Sequence, residues 1–375
     1  MINNQLVTGF ICECNPFHLG HKKIINYIKN HIKSKYIIAI MSGNFVQRGE
    51  PAVFDKYERT LQLLENYVDL VIELPIEFTL SSADYFANAN IQILNKLNFI
   101  DNIVFGSNIC DMDYLFSIAK KNIQIEKNKT LYKTYLKNGY THSKILSEML
   151  NIDLSPNDIL AISYIKSIIN TKSHITPICF KRDKSIQGAS EIRKNLDIKI
   201  TNNSFSDYLN QILFFNIKNN IDLKKYYCID DQLSNAIKKI SFYNMSFDER
   251  VAILYKKNRT KASIKRALLH ILFDIENNHI KKLKYGNKFE YIRILGFNKN
   301  FNLSNIKIPY LTSINKKGFK NFNKNFDENI LFKNENIKNI SLLTNIYADD
   351  LYFSIKNNNQ NESNSKLIIY KNNKI

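Results

Sequence analysis

The sequence predicts an α/β protein in which a parallel β-sheet in the first half is followed by a mostly helical, basic region. Two observations support this prediction. Short apolar runs alternate with amphipathic stretches over the first 200 residues, which is typical of βαβ units. Beyond about Thr201 the alternation stops and helical periodicity dominates.

Apolar runs predict five strands in the first half, and the segments between them predict helices, with apolar residues at helical spacing. Asp55 and Ser81 are expected helix N-caps, and Pro156 fits the first turn of a helix that runs to about Ile169. A helical insertion is expected between residues 123 and 170, before the last strand. The predicted strands are Leu6–Cys12, Tyr36–Met41, Leu70–Glu73, Ile103–Phe105 and Ile175–Phe180.

The second half contains three apolar periodic runs that predict helices: Phe205–Ile217, Gln232–Ile240 and Ser263–Phe273. Tyr291–Leu295 and Ile306–Thr312 are weaker strand candidates. Residues 315–340 and 356–375 are rich in Asn and Lys, so we expect loops or a tail there. We therefore divide the chain into a domain of residues 1–200 and a region of residues 201–375.

Composition narrows the class of protein. The 375 residues are 44% hydrophobic and 23% charged, which argues against wholesale disorder. No run approaches the ~18–20 apolar residues that a membrane span needs, and the first residues lack a signal-peptide pattern. We expect a soluble, cytoplasmic protein without a membrane partner. Its five cysteines are scattered, so we expect reduced thiols.

The net charge of +19 is uneven along the chain. Residues 1–200 carry 24 basic and 19 acidic side chains, whereas residues 201–375 carry 29 and 15. The second half is therefore the expected surface for a polyanion. General enrichment in Lys, Asn and Ile is the alternative source of this charge.

The strongest motif runs from the first predicted strand into the first helix: Gly9-Phe10-Ile11-Cys12-Glu13-Cys14-Asn15-Pro16-Phe17-His18-Leu19-Gly20-His21. In open α/β sheets, ligands bind beyond the carboxyl ends of the strands, where helix N-termini attract phosphates. Gly20 allows the helix to begin close to a ligand, and His18 and His21 are spaced to face one phosphate chain. The motif predicts a site for a nucleoside triphosphate.

This H-x-G-H pattern resembles the nucleotidyltransferase superfamily, and further segments are similar to the tRNA-Met cytidine acetate ligase family. The similarity covers roughly residues 7–195 and continues more weakly through 259–269 and 291–297. Its segments in the first half are Met41–Ala52, Asp69–Pro75, Ser82–Ala87, Phe105–Ser107, Pro156–Leu160, Lys181–Arg182 and Gly188–Arg193.

The resemblance implies a Rossmann-like sheet of the nucleotidyltransferase type. It also implies that ATP activates acetate to acetyl-adenylate, and that the acetyl group passes to the wobble cytidine of elongator tRNA-Met. ATP and acetate are the implied co-substrates, Mg²⁺ is an optional companion of ATP, and acetyl-CoA takes no part. Alignment and positive charge are the expected means of lowering the barrier to attack on the α-phosphate.

By family correspondence, His18 and His21 are the expected catalytic residues. The implied ATP site is the continuous segment Ile11, Cys12, Glu13, Cys14, Asn15, Pro16, Phe17, His18, Leu19, Gly20, His21, Lys22, Lys23 and Ile24, joined by Gly106, Asn157, Arg182, Ser190 and Arg193. A turn glycine, a local helix cap and a surface cation are the alternatives for Gly106, Asn157 and Arg182.

Two positions depart from the family pattern. Gly188 stands where a serine is common, so Ser190 is the hydroxyl expected near the outgoing phosphates, and Leu19 replaces a common Asn. The loop from Ser42 to Ala52 is expected to close over acetate or a ribose, or to be structural.

Other chemistry-bearing residues are expected to be structural. Asp69, Glu73 and Glu77 are spaced irregularly for a metal site, so none is predicted. Cys12 and Cys14 are interpreted as packing residues.

Six basic side chains lie within eleven residues of the second half and predict a nucleic-acid surface: Lys256, Lys257, Arg259, Lys261, Lys265 and Arg266. A solvated helix face is the alternative for this cluster. Two other functions stay open: a small-molecule adenylyl- or cytidylyltransferase or carboxylate-activating ligase, and a non-catalytic RNA-binding protein.

Overall fold

The computed structural model of the protein describes residues 1–128, 134–135, 142–183, 185–195, 202–219, 221–240, 245–256, 259–278, 280, 289–313, 332–333, 336–337, 339–356 and 367–371. The strands in chain order are β1 (Val7–Cys12), β2 (Tyr36–Ser42), β3 (Phe45–Val46), β4 (Glu50–Pro51), β5 (Leu70–Leu74), β6 (Asn102–Ser107), β7 (Thr176–Lys181), β8 (Ile292–Asn298), β9 (Tyr310–Leu311), β10 (Phe332–Lys333), β11 (Asn336–Ile337) and β12 (Ile368–Tyr370).

The α-helices that the structure describes differ in length from one turn to more than four. In chain order they are α1 (Leu19–Asn30), α2 (Lys56–Glu65), α3 (Ile76–Thr79), α4 (Ala83–Leu97), α5 (Met112–Lys127), α6 (His142–Leu150), α7 (Pro156–Thr171), α8 (Ala189–Asn195), α9 (Asn202–Lys218), α10 (Asp231–Ile240), α11 (Phe247–Leu254), α12 (Lys261–Leu272) and α13 (Ile340–Ile355).

The central sheet confirms the predicted α/β class. Its strand order is β12-β8-β5-β2-β1-β6-β7, with β9 beside β8. The five strands predicted from apolar runs, β1, β2, β5, β6 and β7, pair in parallel. Ile37 to Met41 of β2 are fully buried, as expected for a strand covered on both faces.

Helices cover both faces of this sheet. On one face α4, α5 and α7 enclose the largest apolar cluster. On the other face, α1 and α2 pack over Phe10, Ala39 and Val71. A further cluster joins α10, α11, α12 and α13 of the second half. Among the described residues, no helix is both long and apolar enough to span a membrane.

The second half also contributes to the sheet. The weaker strand candidates Tyr291–Leu295 and Ile306–Thr312 are confirmed in β8 and β9, but their pairing with the sheet of the first half was not predicted. Strand β8 pairs antiparallel with β5, and β12 pairs in parallel with β8. The expectation of loops or a tail is therefore wrong for Ile368–Tyr370 in residues 356–375. In residues 315–340 it is wrong for β10 and β11, which pair with each other as antiparallel strands. The three predicted helices of this half are confirmed, whereas α11 and α13 were not among them. The division near residue 200 stays a prediction.

Local capping follows the sequence with one exception. Asp55 accepts hydrogen bonds from the Tyr57 and Glu58 N–H groups, and Pro156 occupies the first turn of α7. The prediction for Ser81 is wrong by one residue, because α4 begins after Ser82. The Ser81 hydroxyl instead donates to the Phe78 carbonyl at 2.6 Å, closing the preceding turn.

The expectation of five reduced thiols is wrong for one pair. Cys110 and Cys179 form a disulfide, with their Cα atoms 5.5 Å apart. Cys179 lies on β7, and Cys110 follows the neighbouring β6. Pairing of these strands brings together two cysteines that are 69 residues apart in the chain. Cys12, Cys14 and Cys228 are free.

A buried ion network fastens α13 to the sheet. Lys56 Nζ, fully buried at the start of α2, donates to Glu73 Oε1 at 2.9 Å and to Asp349 Oδ2 at 2.5 Å. Asp349 also accepts from Asn44 Nδ2 at 2.8 Å, and Arg293 of β8 lies 3.4 Å from Glu73. These contacts confirm that Glu73 has a structural role.

Candidate active site

A cavity of about 560 Å³ lies beyond the carboxyl ends of β1, β6 and β7. The N-terminal ends of α1, α7 and α8 face it, together with the hairpin of β3 and β4. Strand β1 has β2 on one side and β6 on the other, so the strand order reverses at this point. Open α/β sheets bind ligands at such a reversal, which makes the cavity the candidate site.

His18 and His21 close the β1 side of the cavity. His18 is the N-cap of α1, and its Nδ1 accepts the Gly20 N–H at 2.9 Å. His21 Nδ1 accepts the His18 N–H at 3.2 Å, and the two ring centroids are 4.0 Å apart. Because both Nδ1 atoms accept, each neutral ring carries its proton on Nε2 and can donate it to a ligand oxygen.

Both imidazoles are held neutral. Burial, the neighbouring His18 and Arg182 lower the pKa of His21 to about 3. Burial and Arg182 also lower the pKa of His18. A Cβ on residue 20 would lie 2.6 Å from His18 Cε1, so glycine at this position leaves the room that the His18 ring occupies.

The second wall is built by β6 and the start of α7. Asp158 accepts hydrogen bonds from Ser107 Oγ at 2.5 Å and from the Asn108 N–H at 2.8 Å. These bonds tie the end of β6 to α7, where Asn157 lines the cavity. Ser155 and Asp158 form the helix cap, so Asn157 is not the cap. A Cβ on Gly106 would lie 3.4 Å from Arg182 Cγ.

Helix α8 contributes a third wall of the cavity. Arg193 donates to the Asn15 carbonyl at 2.5 Å and to Ser190 Oγ at 3.3 Å. This arginine therefore links the second motif of the chain to the first. Ser190 and Gly188 also line the cavity.

The structure brings most of the predicted ATP-site residues together. Pro16, Phe17, Leu19, Lys22 and Lys23 are the predicted residues that do not line the cavity. Phe17 stacks on His21 with centroids 5.6 Å apart, and Lys23 pairs with Asp183 at 2.9 Å. The lining set from the prediction is Ile11, Cys12, Glu13, Cys14, Asn15, His18, Gly20, His21, Ile24, Gly106, Asn157, Arg182, Ser190 and Arg193.

The surroundings of Cys12, Cys14 and Asp69 agree with the structural roles predicted for them. Cys12 and Cys14 are buried in the core beside α1, and burial raises the pKa of the Cys12 thiol. Asp69 Oδ2 accepts the Ile37 N–H at 2.8 Å. In the part of the chain that the structure describes, no group of three His, Cys, Asp or Glu residues could hold a metal ion.

Sequence reasoning missed one part of the cavity, which we call the apolar lobe: Phe86, Phe105, Leu160, Ala161 and Tyr164. Phe86 comes from α4 and Phe105 from β6, while the other three belong to α7. All five pack with the core on the face opposite α1. Phe86, Phe105 and Leu160 lie in segments that carry the family resemblance, but none of the five was predicted to line the site, because they have the spacing of ordinary core residues.

The described residues of the predicted basic cluster have different surroundings. Arg266 Nη1 donates to the Gln47 carbonyl at 2.9 Å, and Lys265 lies 3.5 Å from Glu50, so both contact the β3–β4 hairpin. Arg259 pairs with Asp230, whereas Lys256 and Lys261 are exposed. Lys257 lies outside the described residues.

Comparison with known proteins defines the class first. Residues 6–200 and 189–366 match the model of the HIGH nucleotidyltransferase family, so the chain belongs to this family. It is 34% identical to the tRNA(Met) cytidine acetate ligase of Thermoanaerobacter sp. (strain X514), over 87% of this chain and 93% of that protein. The ligase of the same name from Fusobacterium nucleatum is 33% identical, over 89% and 90%. The chain belongs to the tRNA(Met) cytidine acetate ligase family.

Solved structures agree on the fold. The crystal structure of Thermotoga maritima TmcAL bound with alpha-thio ATP superposes with a TM-score of 0.79 at 23% identity. It covers 98% of this chain and 100% of that one. The apo structure of the same protein gives 0.80 at 24% identity. The predicted nucleotidyltransferase fold is therefore confirmed.

Proposed function

We propose that this protein activates acetate with ATP and transfers the acetyl group to the wobble cytidine of elongator tRNA(Met), giving N4-acetylcytidine. The observation that carries the proposal is the 34% identity to a tRNA(Met) cytidine acetate ligase over 87% of the chain. The cavity supports it, because both motif histidines face a space large enough to receive two substrates.

In the first step, a carboxylate oxygen of acetate attacks the α-phosphate of ATP and pyrophosphate leaves. His18 and His21 donate Nε2–H groups toward the phosphates, and the N-terminus of α1 adds the positive end of its helix dipole. Arg182, Ser190 and Arg193 are the proposed contacts for the outgoing phosphates. Preorganised donors lower this barrier without a covalent enzyme intermediate.

The proposed acyl donor is acetate and not acetyl-CoA. Mg²⁺ would arrive with the phosphates of ATP, because this ion is usually held by substrate phosphates, water and only one or two carboxylates. The tRNA is expected to contact the exposed Lys256 and Lys261 and to reach the cavity past the hairpin that Arg266 supports. This partner implies a cytoplasmic enzyme.

Purified protein, tRNA(Met), ATP and labelled acetate test the proposal. We expect acetate-dependent exchange of pyrophosphate into ATP, and N4-acetylcytidine in the digested tRNA. Acetylation with acetyl-CoA in place of ATP and acetate would refute the acyl donor. Exchange that depends on a different small carboxylate would favour a small-molecule ligase instead.

A further inference from the structure

Acetyl transfer to an aromatic exocyclic amine releases one proton, and the cavity must provide a group that accepts it. A proton acceptor needs a free lone pair within reach of the substrate. The motif histidines lack one, because both Nδ1 atoms already accept backbone N–H groups and both Nε2 atoms carry protons. The side chains of the cavity that can accept a proton are therefore its carboxylates.

Among the described residues, three carboxylates line the cavity: Glu13, Asp183 and Glu191. Asp183 pairs with Lys23, and hydrogen bonds from Ser185 and Lys23 lower its pKa to about 2. Glu191 is exposed on α8. Asp158 is close by, but it accepts five hydrogen bonds: one from the Ser107 hydroxyl, two from the N–H groups of the next two residues, and two from Ser155. Glu13 remains.

Glu13 follows β1 directly and lines the same cavity as the histidines and the apolar lobe. Its Oε1 accepts the Gln47 N–H at 2.6 Å and the Ser42 hydroxyl at 3.3 Å. Within the described part of the chain, Oε2 has no hydrogen-bond donor. The carboxylate is thus held by one oxygen while the other stays available in the cavity.

The surroundings of Glu13 suit a base. Burial raises its pKa, against the opposing effects of the Gln47 hydrogen bond, Arg59 and Arg48. Two further cations act on it from the second half of the chain and from α8, Arg266 and Arg193. Glu50, the Cys12 thiol and the Tyr164 hydroxyl face it as acidic groups.

We propose that Glu13 is the proton acceptor of the acetyl-transfer step, with Oε2 as the accepting atom. The inference rests on the proposed function. The N4 lone pair of cytidine forms a bond to the acetyl carbonyl carbon, and the bond from that carbon to the AMP oxygen breaks. AMP leaves with the electron pair, the N4 proton passes to Oε2, and the resulting acid later loses it to solvent.

The test compares the two half-reactions in Glu13→Gln, with Glu65→Gln as the matched control. Gln keeps an oxygen for the Gln47 N–H but cannot accept the proton, while Glu65 is exposed at the end of α2. Transfer from preformed acetyl-adenylate to tRNA should fall ~10²-fold or more, since a general base contributes about 10²–10⁴-fold. Acetate-dependent pyrophosphate exchange should fall at least tenfold less than transfer, and Glu65→Gln should behave as wild type.

A pH profile separates a base from a structural group. The wild-type transfer rate should rise with pH as Glu13 ionises, and Glu13→Gln should lose this pH dependence. Glu13→Asp, whose carboxylate is retracted by one methylene, should keep the pH dependence at a lower rate. Equal losses of exchange and transfer, or an unchanged pH profile, would overturn the proposal. Absence of exchange in the wild type would instead refute the proposed function, and this inference with it.

Discussion

Replacing Glu77 with Gln should stabilise the protein increasingly as the pH rises. Glu77 is fully buried in α3 and faces Ser341 and Asn345 of α13. Burial raises its pKa from about 4.5 to about 7. At about 1.4 kcal/mol for each pKa unit, ionised Glu77 lowers the free energy of unfolding by about 3 kcal/mol.

The sign follows from proton binding. Between pH 4.5 and 7 the folded state holds more protons than the unfolded state, so stability falls as pH rises through this window. We expect urea unfolding of Glu77→Gln and wild type to differ little near pH 4.5 and by about 3 kcal/mol above pH 7.5. The difference in unfolding free energy between the variant and the wild type cancels the contributions of Asp69 and Asp349, whose pKa values are also raised to about 6 by burial.

Exposed Glu65→Gln is the control and should show no such trend. A difference between Glu77→Gln and wild type that stays constant from pH 5 to 8 would refute the reasoning.

Three further predictions concern the ion network and the site. Lys56→Met leaves the buried Asp349 without its cation and Glu73 with Arg293 alone, so urea unfolding should show a loss of about 3–5 kcal/mol; an unchanged midpoint would contradict this. His18→Ala and His21→Ala should each slow acetate-dependent pyrophosphate exchange by about 10²-fold with native circular dichroism, and near-normal exchange would show a structural role. Lys256→Ala with Lys261→Ala should weaken tRNA binding and flatten its salt dependence while exchange persists; unchanged affinity across salt concentrations would exclude this surface.

The first half of the fold could be predicted because its signals are local. Strands β1, β2, β5, β6 and β7 are short apolar runs. The first four are largely buried, as is usual for parallel strands covered on both faces, whereas β7 is half-buried at the edge of the sheet. The motif histidines were found for the same reason, since strand, turn and helix start lie within thirteen consecutive residues. Long-range pairing was not predictable in this way. Ile368–Tyr370 is a strand only because β8 offers it an edge.

Two other failures have a different cause. Helix α13 is buried on most of its surface and carries Asn345 and Asp349 inward, so it lacks the one-sided apolar stripe of a surface helix. Tyr164 lies on a helix that is also packed against the core, and only the three-dimensional arrangement shows that it lines the cavity. The Cys110–Cys179 pair likewise depends on β6 and β7 being neighbours.

The pairing of β5 with β8 has a consequence for synthesis on the ribosome. Strand β5 is translated long before β8, which completes its outer edge about 220 residues later. At roughly 5–20 residues per second, the nascent sheet spends about ten seconds or more with an apolar edge unpaired. Such an edge is a template for wrong pairing with another chain. The nascent first half therefore passes through an aggregation-prone interval, and chaperone capture is expected to peak before residue 298 emerges.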